Sequence, residues 1–254
     1  MMRSSTVTAA LVAAFLSSSC FVTRALDRLP ENSDQALVHP EPGDPSVLAR
    51  RELNVGIVVV NGVYNTELTA PLDVFHHTVF HVEPGMKVFT VAPTREAVRT
   101  FEGIRLVPDH AFADAPRIDV LVVPSAEHSM DTDLEDARLI EFVRERGAGA
   151  DYVLSLCDGA FVLARAGLLE GLRATTFPAD RERLAESFPG VTVDSSVRLV
   201  HDRKAITSVG GAPSFEPALY LCERLYGRDV ARGIAKGLVI DWNLDDVPAL
   251  TPPR

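Results

Sequence analysis

Continuous apolar runs alternate along the chain with segments whose apolar residues recur at helical spacing. The runs VGIVVV (55–60), DVLVVP (119–124) and YVLSL (152–156) are typical of strands buried on both faces of a parallel sheet. The segments TELTAPLDVFHHTVF (66–80) and DLEDARLIEFVRERGAG (133–149) have the spacing of amphipathic helices. This alternation predicts an α/β fold in which helices cover both faces of a parallel sheet.

Weaker signals complete the pattern. MKVFTVAP (86–93) and GIRLVPDHAF (103–112) are predicted as strands, the second together with its loop. VRLVHDRKAITSVGG (197–211) predicts a β-hairpin that turns at Asp202 to Lys204. The last long segment (213–240) is predicted to be helical, opened by Pro213 and Ser214.

The N-terminal residues have the layout of an export signal. One arginine precedes an apolar stretch from Val7 to Leu16, and small polar residues lead to Cys20. We predict an export signal over residues 1–25. Cleavage after Ala25 would release a soluble protein, whereas cleavage before Cys20 would leave a lipid anchor on that residue. An unprocessed apolar extension is the alternative.

The rest of the chain divides by composition. Residues 26–51 are rich in Pro, Asp and Glu without periodicity, which is typical of a solvated linker. Residues 52–245 contain the periodic segments and predict one folded domain, followed by a tail over 246–254.

The segment SLCDGA places a cysteine where an apolar strand changes to a helical pattern. Ser155, Cys157 and Gly159 match the small-x-nucleophile-x-small spacing of a nucleophile elbow, and the first turn of the following helix would favour a thiolate. A small, inert core residue is the alternative for Cys157. Cys222 lies within a helical pattern and is predicted to be a core residue.

The residues around this elbow resemble a known family. SLCDGAFVLARAGLLEGLRATT (155–176) is similar to the cysteine-elbow segment of the ThiJ/PfpI family, within the class I glutamine amidotransferase-like superfamily. GVYNTELTAPLDVF (62–75) is similar to its first loop and helix. The nearest branch contains isocyanide hydratases and the amidotransferase-like domains of some transcription regulators. The resemblance covers Leu53 to Trp242 and implies a flavodoxin-like parallel sheet sandwiched between helices, with a small β-hairpin near the C-terminal part, and a homodimer.

The resemblance also places Glu67 at the family's acidic position. A protonated carboxyl there can donate to a thiolate and an ionised one can relay a proton, and burial beside the thiolate would raise its pKa. Cys157 and Glu67 are therefore the predicted catalytic pair. An ordinary charge in the first turn of a helix is the alternative for Glu67.

Several positions depart from the family's pattern. Phe177 stands where many relatives have a histidine that could serve as a base, which counts against triad-type peptidase or amidase chemistry. Ser125 and Ala126 replace a Gly-Gly pair, and their N–H groups, with that of Asp158, are the predicted oxyanion donors. The Asp158 carboxylate would oppose thiolate formation unless it caps the helix. Gly159 is predicted to line the same pocket.

Other polar residues have two interpretations each. His128, in the loop PSAEHSMDTD (124–133), could supply the missing base or be simply solvated. The acidic residues of that loop have no spacing that fixes a metal geometry, so a charged exposed loop is expected and no metal or cofactor is predicted. Gly210 and Gly211 could line the pocket through their backbone or form a plain tight turn.

These observations together predict a function. Because the hydratase mode needs only Cys157 and Glu67, we predict an exported cysteine-dependent hydratase or hydrolase of a small carbon–nitrogen or carbonyl compound. The formal net charge of −10 disfavours nucleic-acid binding, so the expected partners are a small molecule and a second copy of the chain, with membrane contact only through a lipid at Cys20. A non-catalytic ligand-binding or thiol redox-sensing module is the alternative.

Overall fold

The computed structural model describes residues 41–252. Its strands are β1 (Asn54–Val58), β2 (Lys87–Ala92), β3 (Val98–Arg99), β4 (Arg105–Leu106), β5 (His110–Ala111), β6 (Val120–Val123), β7 (Tyr152–Leu156), β8 (Arg173–Ala174), β9 (Thr192–Val193), β10 (Leu199–Asp202), β11 (Ala205–Ser208) and β12 (Ala249–Leu250). Its α-helices are α1 (Pro45–Leu48), α2 (Asn65–His76), α3 (Ala137–Gly149), α4 (Gly159–Arg165), α5 (Arg181–Ser187), α6 (Phe215–Tyr226) and α7 (Arg228–Gly237).

Eight of these strands form one sheet in the order β12-β10-β11-β7-β6-β1-β2-β5. All neighbours are parallel except β10 and β11. The run β2-β1-β6-β7-β11 has the flavodoxin-like order, in which the chain reverses direction across the sheet between β1 and β6. Ligands bind outside the carboxyl ends of the strands in such sheets, so this edge is where a site is expected.

The central strands are buried on both sides, as their continuous apolar sequences predict. Val55 of β1 pairs with Val120 of β6, and Leu121 of β6 pairs with Val153 of β7. Every residue of β6 and β7 is buried. Alternate residues of β6 enter two different hydrophobic clusters, because successive side chains point to opposite faces.

Helices cover these two faces. Apolar side chains of α2, α6 and α7 pack in the cluster that includes Val120, whereas those of α3 and α4 pack in the cluster that includes Leu121. The predicted doubly covered α/β fold is confirmed. The hairpin is confirmed as well, since Asp202 pairs with Ala205 at the end of the antiparallel β10–β11 pair.

Two elements differ from the sequence pattern. The helical segment predicted over 213–240 is broken at Gly227, whose φ of +89° ends α6 before α7 begins. The strand predicted over 103–112 is divided: β4 pairs with β3, and β5 joins the edge of the main sheet. Pro108 lies between the two pieces and has no N–H to donate to a sheet ladder.

Ordered structure extends on both sides of the predicted domain. Helix α1 lies in the segment interpreted as a linker, and β12 pairs with β10 inside the segment interpreted as a tail. The predicted export signal over 1–25 lies outside the described residues. Between residues 41 and 252, none of the helices is long and apolar enough to cross a membrane.

Candidate active site

Cys157 lies on a strained turn between β7 and α4. Its φ is +52°, in the left-handed region that residues with a side chain seldom adopt. A Cβ atom on Gly159 would lie 2.1 Å from the carbonyl oxygen of Val123, and one on Gly210 would lie 2.3 Å from the Cβ of Cys157. Glycine is therefore required at both positions, and the strand-to-helix turn expected from the S-x-C-x-G spacing is present.

Glu67 faces the same turn from the first turn of α2. It is 4% exposed, so it is not an ordinary solvated helix charge. The N–H of Ser125 donates to its Oε2 at 3.0 Å, and the N–H of Gly211 donates to its Oε1 at 3.1 Å. Burial raises the pKa of the Glu67 carboxyl, while these two N–H groups and the Cys157 thiol act in the opposite direction. The raised pKa agrees with the prediction made for this residue.

The Cys157 thiol is 8% exposed and lies between two carboxyl groups. Burial raises its pKa strongly, and the nearby charges of Glu67 and Asp158 raise it further, whereas hydrogen bonds from the Asp158 N–H and the Ser125 hydroxyl lower it. Taken together, these influences favour the neutral thiol. This differs from the thiolate that the helix N-terminus predicts, because burial and two carboxyl groups outweigh the first turn of the seven-residue helix α4.

Asp158 turns its carboxyl group back toward the cysteine. It occupies the N-cap position of α4 but its side chain makes no capping hydrogen bond. Its Oδ2 lies 3.7 Å from the Cys157 Sγ, and its Oδ1 lies 2.9 Å from the hydroxyl of Thr176. Burial raises the pKa of Asp158 to about 6.

The backbone N–H groups of Ser125 and Ala126, in the loop after β6, both donate to side chains of the protein. That of Ser125 is bound to Glu67, and that of Ala126 donates to the Ser129 hydroxyl at 2.8 Å. They position the acid and the loop, which differs from the oxyanion role that the sequence predicts. The N–H of Asp158 contacts the sulfur instead.

A cavity of about 540 Å³ adjoins this group of residues. Gly210 and Gly211 line this cavity; Gly210 packs closely against Cys157, and the N–H of Gly211 donates to Glu67, but neither Cys157 nor Glu67 lines the cavity itself. Its other walls are mainly apolar and include Phe177, Pro178, Val197, Val209, Pro213 and Pro248. Phe177 therefore contributes apolar surface where relatives are expected to have a histidine, and the glycine pair has more than a turn-forming role.

His128 is placed elsewhere. Its Nδ1 lies 3.2 Å from Asp131 Oδ1, and its side chain is half exposed. It lines a second cavity, of about 450 Å³, which shares no lining residue with the cavity at Gly210 and Gly211. The structure does not bring this histidine together with the predicted pair. Across residues 41–252, no three His, Cys, Asp or Glu side chains are grouped so that they could hold a metal ion.

The geometry adds one residue that sequence reasoning missed. Thr176 is fully buried, and its hydroxyl contacts both the carbonyl oxygen of Cys157 and the carboxyl group of Asp158 at 2.9 Å. The available signal was a pair of threonines between apolar residues, which is also typical of a short strand. Only the folded structure, in which this segment packs against the turn at Cys157, distinguishes a site residue from a residue of a short strand.

The comparison with known families covers most of the folded part of the chain. A sequence model described as the DJ-1/PfpI family matches residues 54–223, a span that contains both Glu67 and Cys157. The chain belongs to the DJ-1/PfpI family. The match begins with β1 and continues into α6, so it includes every strand that surrounds this DJ-1/PfpI elbow.

The relatives of this DJ-1/PfpI chain include an enzyme and a transcription regulator. An isonitrile hydratase from Pseudomonas putida is 33% identical over 201 residues, which cover 79% of this chain and 81% of that protein. The HTH-type transcriptional regulator GbdR from Pseudomonas aeruginosa is 24% identical over 140 residues, which cover 55% of this chain and 37% of the regulator. A crystal structure of a THiJ/PfpI family protein from Pseudomonas syringae matches with a TM-score of 0.68 at 26% identity, covering 85% of this chain and 84% of that one.

Proposed function

We propose that this protein is a cysteine-dependent hydratase or hydrolase of small carbon–nitrogen or carbonyl compounds, with isonitriles as the first substrates to test. The observation that carries the proposal is the buried Glu67 carboxyl, which two backbone N–H groups hold beside the Cys157 thiol. The 33% identity to an isonitrile hydratase supports the choice of substrate class.

The proposed chemistry needs a nucleophile and an acid. Cys157 adds to an electrophilic carbon, and Glu67, whose pKa is raised by burial, donates a proton from its protonated form to the substrate as the bond forms. Water then releases the product; for an isonitrile this is a formamide. The mainly apolar cavity beside Phe177 would hold the substituent of such a substrate.

Triad-type chemistry has less support. The described surroundings of Cys157 contain two carboxyl groups and two hydroxyl groups, and Phe177 occupies the position at which a histidine base is expected. A mechanism based on the cysteine and its acidic neighbours fits these residues better than an amidase or peptidase triad.

A panel of isonitriles, aldehydes, small amides and short peptides tests the proposal. We expect formamide formation from isonitriles, lost by at least about 10³-fold in Cys157→Ala and by roughly 10²-fold in Glu67→Gln. His128→Ala is the matched control, since that side chain lines a different cavity, and it should keep wild-type turnover. Turnover that survives in Cys157→Ala would overturn the proposal.

The second candidate is a ligand-binding module without turnover. The match to part of an HTH-type transcriptional regulator favours it, because a domain within a regulator can act by binding a ligand without turning it over. Saturable binding of a panel compound that protects Cys157 from alkylation, with no product formed, would select this candidate. A redox-sensing role has less support, since sensor cysteines have low pKa values and burial raises the pKa of Cys157.

Export and homodimer formation belong to the proposal as well. Export rests on the layout of residues 1–25, with a soluble form or a lipid anchor at Cys20 as its two versions. Cell fractionation with a Cys20→Ala variant separates them, because only the anchored form changes from membrane to soluble fraction. Sedimentation of the purified protein measures the dimer.

A further inference from the structure

The side chain of Asp158 contacts Cys157 and does not cap the helix that it precedes. An aspartate at the N-cap of a helix ordinarily accepts hydrogen bonds from the N–H groups of the first turn. Here the side chain makes no such bond, and Oδ2 faces the thiol of Cys157 at 3.7 Å. The Cys157 thiol therefore contacts both carboxyl groups, since it also makes a hydrogen bond with Glu67.

Thr176 holds the other carboxyl oxygen. Its hydroxyl lies 2.9 Å from Asp158 Oδ1 and 2.9 Å from the carbonyl oxygen of Cys157. A hydroxyl has one proton and can donate to only one of these oxygens at a time. It donates to Oδ1 when Asp158 is charged, and it can accept from a protonated Oδ1 while donating to the carbonyl. The same contact therefore serves both protonation states of Asp158.

The charged groups around Asp158 come from several segments. Asp180 raises its pKa and Arg183 lowers it, whereas the thiol and Thr176 favour the charged form through hydrogen bonds. Glu67 also makes a hydrogen bond with the thiol, and Asp158 in turn raises the pKa of the Glu67 carboxyl. Because burial is the largest influence, the pKa of Asp158 is about 6, which leaves it charged at neutral pH but basic enough to accept a proton.

We propose that Asp158 is a second catalytic carboxyl group, which accepts the thiol proton of Cys157 as the sulfur attacks the substrate. This inference rests on the proposed function, because it assigns a step of that reaction. Glu67 and Asp158 then divide the acid and base roles between two carboxyl groups with different environments, and no histidine is needed.

The step balances in atoms and charge. The S–H bond of Cys157 breaks, its electron pair forms the bond from sulfur to the electrophilic carbon, and the proton moves to Asp158 Oδ2. Glu67 reacts in its protonated form, and its proton moves to the substrate atom that gains a hydrogen. When water attacks, Glu67 takes a proton from it, the carbon–sulfur bond breaks, and the sulfur takes its proton back from Asp158. The sum is addition of one water molecule.

The pH profile of Cys157 alkylation by iodoacetamide tests the assignment without any substrate. In the wild type we expect the rate, followed by mass spectrometry of the Cys157 peptide, to rise through about pH 6 as Asp158 becomes charged. In Asp158→Asn we expect that rise to be absent, with alkylation at pH 7 slower by roughly 10²-fold. Since an Asn-Gly pair can deamidate to aspartate, Asp158→Thr is the second carboxyl-free variant.

Thr176 is a positioning residue in this scheme. Thr176→Val, which has the same shape without the hydroxyl, should shift the inflection of the alkylation profile and slow alkylation by about tenfold. Thr176→Ser keeps the hydroxyl and should restore the wild-type profile. A purely structural role would leave the inflection unchanged in both variants.

The outcomes separate this inference from the proposed function. Identical alkylation profiles in the wild type and both Asp158 variants would overturn the inference, and so would faster alkylation in the variants at pH 7, which would mean that Asp158 only suppresses the thiolate. If panel turnover is found and falls by roughly 10²-fold in Asp158→Asn, both stand. If no panel compound is turned over, the proposed function fails while the alkylation profile still decides the role of Asp158.

Discussion

The two buried cysteines within residues 41–252 have contrasting surroundings. Cys222 lies in the middle of α6, is 0% exposed, and belongs to the hydrophobic cluster that α6 shares with α2 and α7. Cys157 is nearly as buried, but it lies on a left-handed turn between a carboxyl group on each side. Burial alone raises the pKa of Cys222, whereas charges and hydrogen bonds contribute at Cys157. Burial therefore does not distinguish a core thiol from a candidate reactive one, but strain and polar contacts do.

Alkylation of the native protein should show the largest difference between the two thiols. Cys157 is 8% exposed and packs against Gly210, which lines a cavity, whereas Cys222 is 0% exposed and a reagent reaches it only when the core opens. We expect Cys157 to react at least about 10³-fold faster, since core opening costs several kcal/mol. Peptide mass spectrometry after timed alkylation measures both rates, and denaturant should equalise them. Equal rates in the native protein would mean that the core around α6 is open.

Substitutions of the adjacent residues Gly210 and Gly211 test how closely the backbone packs around Cys157. Gly210→Ala combines a positive φ with a Cβ atom 2.3 Å from the Cβ of Cys157, so we expect it to lower the free energy of unfolding by about 4 kcal/mol. Gly211→Ala is the matched control: its φ is also positive, but no atom lies within 4 Å of the added Cβ, which predicts about 1 kcal/mol. Urea unfolding measures both, and similar losses would contradict the close packing.

The free energy of unfolding should depend on pH because of Asp158, the residue that follows Cys157. Its pKa is raised on folding, from 3.8 to about 6, so folding favours the protonated form and stability falls as the pH rises through this interval. Asp158→Asn should thus exceed the wild type by about 3 kcal/mol at pH 8 and match it near pH 4. Unfolding curves at both pH values give this difference. A constant offset between the proteins would show that the pKa is unshifted.

The same conservative substitution should have the smallest but still unequal effects at the two cysteines. Cys222→Ser places a hydroxyl in an apolar core and should cost about 2 kcal/mol in the free energy of unfolding. Cys157→Ser should cost less than about 1 kcal/mol, because the Asp158 N–H and Ser125 can bond to the new hydroxyl. Urea unfolding of the two variants checks the ranking, and the reverse order would refute the contrast drawn between their surroundings.

Much of the fold follows from local patterns. The β-branched runs at β1 and β6 could only be stable if buried on both faces, which implies a parallel sheet between helix layers. The hairpin turn at Arg203 was readable from its polar residues. The break at Gly227 was not predicted, because the residues on both sides of it keep helical spacing, and the short strand β5 depends on an edge position.

The site was predictable to a different degree at each residue. Cys157 and Glu67 were identified before the structure, from the elbow spacing and a family resemblance. Asp158 and Thr176 were not assigned their contacts, since the direction of a side chain on a turn depends on what packs around it. His128 was a reasonable candidate base by type alone, but its loop leads it to another cavity.

The sequence by itself determined the layers of this protein and the cysteine on its strand-to-helix turn, because hydrophobic periodicity and small residues act over a few neighbouring positions. Only the tertiary structure decided the state of the thiol. Glu67 and Cys157 are separated along the chain and meet through the packing of α2 against the carboxyl edge of the sheet, where the Ser125 and Gly211 N–H groups hold the Glu67 carboxyl. The pKa of a group depends on its burial and on charges within a few ångströms, and those distances exist only after folding.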